Sequence, residues 1–176
     1  LIFIYFSLLY WLICSSITGH ANDNTPLGFL IVALLISAVA VEPFLYAALL
    51  IEIAILLSVP LLKPAHLPTG RGLMRYIAFQ TIAMPFILFS GWLLTGVTTG
   101  PEELSLTGQA AIFLGLGFIF LLAIFPFNTW VPLLTEESNI TSVAFVLWIF
   151  PFIGLIFGLY FLDTYSWIRD SIFLPV

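Results

Sequence analysis

The chain has 176 residues, of which 62% are hydrophobic and only 7% are charged. Soluble domains carry about 25% charged residues, so this composition excludes an ordinary soluble enzyme and a disordered segment. Four basic residues are too few to form a phosphate-binding surface, which excludes a nucleic-acid partner. We therefore expect an integral membrane protein whose surface contacts lipid.

Six apolar segments are long enough, or nearly so, to cross a bilayer, since a helix needs about 20 residues to span its hydrocarbon core. Segments rich in Pro, Gly and polar residues separate most of them. A turn is expected after Glu42, because a single helix over 27–62 would be about 54 Å long. We predict an all-α integral membrane bundle of about six transmembrane helices in one domain. The predicted spans are 1–18, 26–42, 44–62, 75–97, 108–131 and 141–163.

Residues that bind metals or cofactors are scarce along these segments. Cys14 is the single cysteine, which excludes an internal disulfide and a thiolate-ligated zinc or iron–sulfur site. His20 and His66 lie in polar segments without a second ligand at helical spacing. The sequence also has no Gly-rich phosphate loop and no nucleophile–His set that suits a membrane interior. We predict no catalytic site, no cofactor and no metal.

Three charged residues in or beside the spans are candidates for an ion path. Glu52 lies near the middle of a span, where a charge costs at least about 2.5–3.5 kcal/mol. It is interpreted either as a proton-relay carboxylate or as a structural glutamate that holds helices together. Arg75 either points inward toward Glu52 or extends to the lipid headgroups. Glu42, at a membrane edge, either closes a pathway or faces headgroups.

Prolines within the spans indicate where a helix can break, because proline removes a backbone donor and frees a carbonyl. Polar residues follow Pro126 at once, namely Asn128 and Thr129, and Pro132 comes shortly after them. This pattern predicts a discontinuous helix near Pro126, with Asn128 and Thr129 as further ion-path candidates. Pro132 and Pro151 are two more candidate break positions. In the fourth span, Gln80 is expected to form a hydrogen bond between helices.

Two segments resemble a known family. Residues 117–132 read Gly-Phe-Ile-Phe-Leu-Leu-Ala-Ile-Phe-Pro-Phe-Asn-Thr-Trp-Val-Pro. This resembles the pattern Gly-Phe-x-x-Lys-x-Ala-x-x-Pro-Phe-His-x-Trp-x-Pro of the antiporter-like membrane subunits of respiratory complex I. Photosynthetic NDH subunits, membrane-bound hydrogenase subunits and Mrp-type antiporters belong to the same family. Residues 71–76 are similar to the basic start of a family helix, Arg-x-x-x-Lys-Tyr.

The resemblance implies a membrane-arm subunit of a proton- or cation-translocating oxidoreductase assembly, with other membrane subunits as partners. It implies an energy-transducing membrane (bacterial plasma membrane, thylakoid or mitochondrial inner membrane) and electron transport to quinone on other subunits. Glu52 matches the family's buried glutamate, but the family's lysine falls on Leu121 and its histidine on Asn128. The ion path of this chain is therefore expected to be reduced or absent. The alternatives are a structural or assembly subunit without transport and an unrelated small secondary transporter.

Overall fold

The computed structural model describes residues 2–18, 25–42, 44–63, 70–95 and 103–164. Over these residues the chain forms helices and no strand, in agreement with the predicted all-α class. Five of the predicted spans begin and end within a few residues of an observed helix. The helices are α1 (Ile2–Thr18), α2 (Thr25–Ala40), α3 (Phe44–Leu62), α4 (Arg71–Thr95), α5 (Glu103–Leu121), a 3-10 helix (Phe127–Thr129), α6 (Trp130–Glu137) and α7 (Ile140–Thr164).

Three of these helices have the length and apolar composition needed to cross a membrane, which is fewer than the six predicted. They are the apolar parts of α3, α4 and α7. The apolar parts of α1, α2 and α5 also form helices, but each is shorter than the roughly 20 residues that a full crossing requires. The three long segments are Leu45–Leu62, Arg71–Leu94 and Ile140–Tyr160, and the shorter ones are Ile2–Ile17, Thr25–Ala40 and Gly108–Leu121.

Helix α4 organises the bundle, because it packs extensively against α5 and also contacts α3 and α6. Helix α2 packs along α3, and α1 lies against α2 and α7. The core between them is apolar, and Ile55, Tyr76 and Phe145 are among its fully buried members. Large apolar side chains such as Trp92 and Trp148 remain exposed on the outside. The many exposed large apolar side chains suit a hydrocarbon environment rather than water.

The fifth predicted span, 108–131, is two helices with a break between them. Helix α5 ends at Leu121, and two backbone hydrogen bonds close its last turn. Ile124 N–H donates to the Ile119 carbonyl at 3.0 Å, and Ala123 N–H donates to the Phe120 carbonyl at 3.2 Å. This is the Schellman pattern, in which the residue after the cap is left-handed and is usually glycine. Here that residue is Ala123, with φ of 50°.

The three prolines proposed as break positions have different surroundings. Pro126 lies inside the break, between α5 and the 3-10 helix. Pro132 is in the first turn of α6, where its missing N–H has no intrahelical partner to lose. Pro151 lies inside α7, which continues through it, and this corrects the break expected there. Because the ring holds φ near its helical value, a helix can continue past a proline at the loss of one hydrogen bond.

A close contact joins the beginning of α4 to the end of α6. The Glu137 carboxylate Oε2 accepts a hydrogen bond of 2.7 Å from the Gly72 N–H, in the first turn of α4. The first N–H groups of a helix lack intrahelical partners, and the partial positive charge there favours a carboxylate. A Cβ atom on Gly72 would lie 2.6 Å from the Leu134 backbone nitrogen. Glycine at this position therefore permits the two helices to meet.

Candidate functional site

Glu52 lies in the middle of α3, at the border of the stripe that faces the core. Ile51 and Ile55, one turn apart, are fully buried and fix that face of the helix. The Glu52 side chain is partly buried beside them. Its Oε2 atom is buried and has no hydrogen-bond partner in the part of the chain that the structure describes. A carboxylate oxygen is therefore held inside the bundle without a protein donor.

Two hydroxyl groups lie on the neighbouring faces of α3 and α4. The Tyr76 hydroxyl and the Ser58 Oγ are 2.8 Å apart, and both residues are buried. Ser58 Oγ also donates to the Ile55 carbonyl at 2.6 Å. A serine hydroxyl has one proton to donate, so Tyr76 is the donor in the Tyr76–Ser58 pair whenever Ser58 donates to Ile55. Glu52 precedes Ser58 by less than two helical turns on α3.

Gln80 lies one helical turn beyond Tyr76 on α4 and connects this region to the break in α5. Its Nε2 donates to the Leu121 carbonyl at 3.2 Å. Helix α5 ends at Leu121, so this carbonyl lies in the last turn, where no later helical N–H group is present to donate to it. The hydrogen bond confirms the expected contact between helices. The other polar atom of the amide, Oε1, is buried without a partner among the described residues, and the residue is only 2% exposed.

Trp130, the first residue of α6, follows the break along the chain and packs against Tyr76. Its ring lies against Tyr76, with ring centroids 5.1 Å apart and planes inclined by 58°. The residue is 2% exposed, and its Nε1 has no acceptor within the described ranges. Helices α3, α4 and α6 and the end of α5 thus converge on one group of side chains. We refer to it as the polar cluster: Glu52, Ser58, Tyr76, Gln80 and Trp130.

The polar cluster combines an ionisable carboxyl group with groups that donate and accept hydrogen bonds. A carboxyl group can bind and release a proton, and hydroxyl groups can pass protons along hydrogen bonds. The cluster itself contains no basic residue to balance a charged Glu52. The side chain of Leu121, 2% exposed, packs against Gly154 of α7 beside the break. This position, where the resemblance places a lysine, is apolar and tightly packed.

The other residues proposed for an ion path are exposed, whereas the members of the polar cluster are buried or partly buried. Arg75 is exposed, and no ion pair joins it to Glu52 among the described residues. Asn128 and Thr129 are exposed on the 3-10 helix. Glu42 is exposed and lines a cavity of about 120 Å³ between α2, α3 and α7. Their place in an ion path with Glu52 stays a prediction.

Sequence reasoning did not assign Ser58, Tyr76 and Trp130 to the site, and it gave Gln80 only a hydrogen bond between helices. A signal was present for α4, because Tyr76 and Gln80 are four residues apart and therefore share one helix face. Ser58 carried no such signal, since its contact with Tyr76 depends on how α3 packs against α4. Trp130 joins the cluster only because the chain turns back after Leu121.

Comparison of the chain with protein families, with characterised proteins and with solved structures finds no match.

Proposed function

We propose that the chain is a membrane-arm subunit of a complex I-like, proton- or cation-translocating oxidoreductase assembly. One observation carries the proposal: Glu52 has a buried carboxylate oxygen, without a partner among the described residues, in the middle of a membrane-length helix. Ionisable groups at such depth are costly and mark ion pathways in membrane proteins. The hydrogen-bonded hydroxyl groups of Ser58, on the same helix, and Tyr76 add support as groups able to relay protons.

The break after Leu121 gives a second line of support. The motif that resembles the antiporter-like subunits covers residues 117–132, and the helix is interrupted within it. Interrupted helices at membrane depth persist where protein groups or water satisfy the freed backbone atoms, as Gln80 does for Leu121. In secondary transporters such interruptions commonly lie at the ion or substrate site.

In this proposal the chain crosses an energy-transducing membrane about six times, with other membrane subunits as neighbours. The three shorter apolar helices have 14 to 16 residues in their apolar parts, or about 21–24 Å at 1.5 Å per residue. A bilayer adapts to a short hydrophobic segment by thinning locally, at a modest cost in free energy. Helices α1, α2 and α5 therefore suit a membrane when packed against their longer neighbours.

The ion path of this chain is proposed to be reduced. Leu121 is buried and apolar, and Arg75 is exposed. The single lysine of the sequence, Lys63, lies just beyond the end of α3. With no basic group in the polar cluster, protons at Glu52 have no charged residue to move to within it. Neighbouring subunits would complete the path, and the redox chemistry would take place on them.

The first experiment isolates the chain in mild detergent and identifies the proteins that accompany it. Iron–sulfur and quinone-binding subunits are expected among them. Recovery of the chain alone, or with unrelated membrane proteins, would refute the assignment to an oxidoreductase assembly.

The second experiment replaces Glu52 by glutamine in the assembled complex. Glu52→Gln keeps the size and a hydrogen-bonding side chain but removes the titratable proton. We expect fewer ions transported per electron, with unchanged assembly. Glu136→Gln, at an exposed position on α6, is the matched control and should leave transport unchanged. Equal ion-to-electron ratios in the two variants would rule out the ion-path role of Glu52.

A structural subunit without transport is the second candidate, and the packing of Leu121 against Gly154 favours it. A buried, apolar side chain at this position supplies no charged group for a relay. In that case Glu52 would serve to pair with a neighbouring chain. Glu52→Gln would then lower the yield of assembled complex, while the transport ratio of the remaining complex would stay the same.

A further inference from the structure

We propose that the cavity between α2, α3 and α7 binds a small amphiphilic cation, with its apolar body inside the cavity and its ammonium group at Glu42. The cavity has a volume of about 120 Å³. It is lined by residues 38–42 at the end of α2, by Ala47 and Ile51 of α3 and by part of α7. These residues combine an apolar interior with a negatively charged opening.

The interior of the cavity limits the size and polarity of the ligand. Its buried lining residues are all apolar, namely Ala38, Ala47, Ile51, Ile153 and Phe157. Apolar cavities of about 150 Å³ stay dry and bind molecules such as benzene. The cavity of about 120 Å³ therefore suits an apolar body of about four to six carbon atoms. A helix, about 10–12 Å across with its side chains, does not fit.

The opening of the cavity carries negative charge. Glu42 lines the cavity and is exposed, so a ligand can reach this residue from outside the bundle. Ala38, Val39 and Ala40 line it as well and belong to the last turn of α2. The last carbonyl groups of a helix lack helical N–H donors, and that end carries a partial negative charge. The carboxylate and the helix end both favour a cation here.

An organic ammonium group matches these surroundings better than a metal ion does. Among the described residues that line the cavity, Glu42 is the single charged one. A metal ion needs several oxygen ligands and gains nothing from an apolar wall. An ammonium group can donate to one carboxylate and to carbonyl groups, while its apolar body fills the interior. Tyr160 also lines the cavity, and aromatic faces attract ammonium groups.

The expected ligand is a free ammonium compound rather than a phospholipid headgroup. A phospholipid would bring its own phosphate next to Glu42, and like charges at short distance repel each other. The site does not depend on the proposed function, because it concerns a cavity within this chain and a ligand that binds to the chain alone. Its test is therefore a direct measurement of binding, without any measurement of transport.

The test titrates n-pentylammonium into the full chain, labelled with ¹³C at its isoleucine δ1-methyl groups, in micelles of an uncharged maltoside detergent. The resonances of Ile51 and Ile153, which line the cavity, are assigned by replacing each residue with valine. We expect both to shift and to reach saturation. Ile87 of α4 is the internal control, because it is buried and does not line this cavity, and its resonance should stay in place. 1-Pentanol, which has the same apolar body without the charge, should bind about tenfold or more weakly.

Two variants then test the role of the carboxylate. Glu42→Gln keeps the size of the side chain but removes its charge. It should weaken the binding of pentylammonium about tenfold or more and leave the binding of 1-pentanol unchanged. Glu136→Gln, at an exposed position on α6, is the matched control and should bind both compounds as the unmodified chain does.

Three results would overturn the proposal. The first is the absence of saturable shifts of Ile51 and Ile153 in the unmodified chain, which needs no variant to fold. The second is equal affinity for pentylammonium and 1-pentanol, and the third is unchanged affinity for pentylammonium in Glu42→Gln. If added phosphatidylethanolamine displaced pentylammonium from the chain, the assignment to a free compound would be overturned.

Discussion

Replacement of Gly72 by alanine tests how closely the beginning of α4 approaches α6. The added Cβ would lie 2.6 Å from the Leu134 nitrogen, 2.7 Å from the Leu133 carbonyl carbon and 2.9 Å from the Glu137 Oε2. The first two are backbone atoms of a helix and cannot rotate away as a side chain can. The helices must therefore separate, and the hydrogen bond from the Gly72 N–H to Glu137 lengthens with them.

The expected cost follows from three contributions. Forcing an extra carbon into a packed contact costs about 1–3 kcal/mol. Weakening a hydrogen bond to a charged acceptor costs up to about 1.5–3 kcal/mol. Alanine offsets up to about 1 kcal/mol of this, because it is a better helix former than glycine. We therefore expect Gly72→Ala to lower the free energy of unfolding by about 2–4 kcal/mol.

The measurement is an unfolding titration with denaturing detergent in mixed micelles, followed by circular dichroism and tryptophan fluorescence. Gly115→Ala is the matched control, because a Cβ at Gly115 of α5 meets no atom within 4 Å. The control should be unchanged or more stable by up to about 1 kcal/mol. If both variants unfolded at the same detergent fraction as the unmodified chain, the close contact between α4 and α6 would be refuted.

Two further substitutions concern the end of α5. Ala123→Gly should raise the free energy of unfolding by about 0.5–1 kcal/mol in the same titration, because glycine adopts the φ of 50° without the penalty that alanine incurs. A lower stability would contradict the left-handed conformation at that residue. Leu121→Lys should cost at least about 2.5–3.5 kcal/mol and reduce the yield of folded protein, because Leu121 is buried next to Gly154. Leu121→Met, of similar volume, is the control and should change the yield of folded protein little. If Leu121→Lys gave the same yield as Leu121→Met, water or a carboxylate would have to reach the position.

The helices themselves could be predicted because their apolar segments are long and their ends are polar. The predicted span 44–62 coincides with α3, where a proline precedes the helix and Lys63 follows it. For the fifth span the same reasoning predicted a break near Pro126, but nothing in the sequence marks the earlier end of α5 at Leu121. A glycine at position 123 would have signalled a helix end, but alanine is a strong helix former.

The polar cluster and the contact between α4 and α6 depend on distant parts of the chain. Gln80 and Leu121 are 41 residues apart, and Gly72 and Glu137 are 65 residues apart. Local periodicity identifies which residues share a face of one helix, but it does not identify the helix that they meet. Glu52 could be identified without this information, because its burial cost is a property of its own segment.

The hydrogen bond between Gly72 and Glu137 also has a consequence for how the protein is made. Ribosomes add about 5–20 residues per second, so Glu137 is synthesised several seconds after Gly72. During that interval the first N–H groups of α4 must be satisfied by water or by other polar groups. The beginning of α4 therefore reaches its final position only when α6 arrives, which makes this part of the bundle a late step in biogenesis.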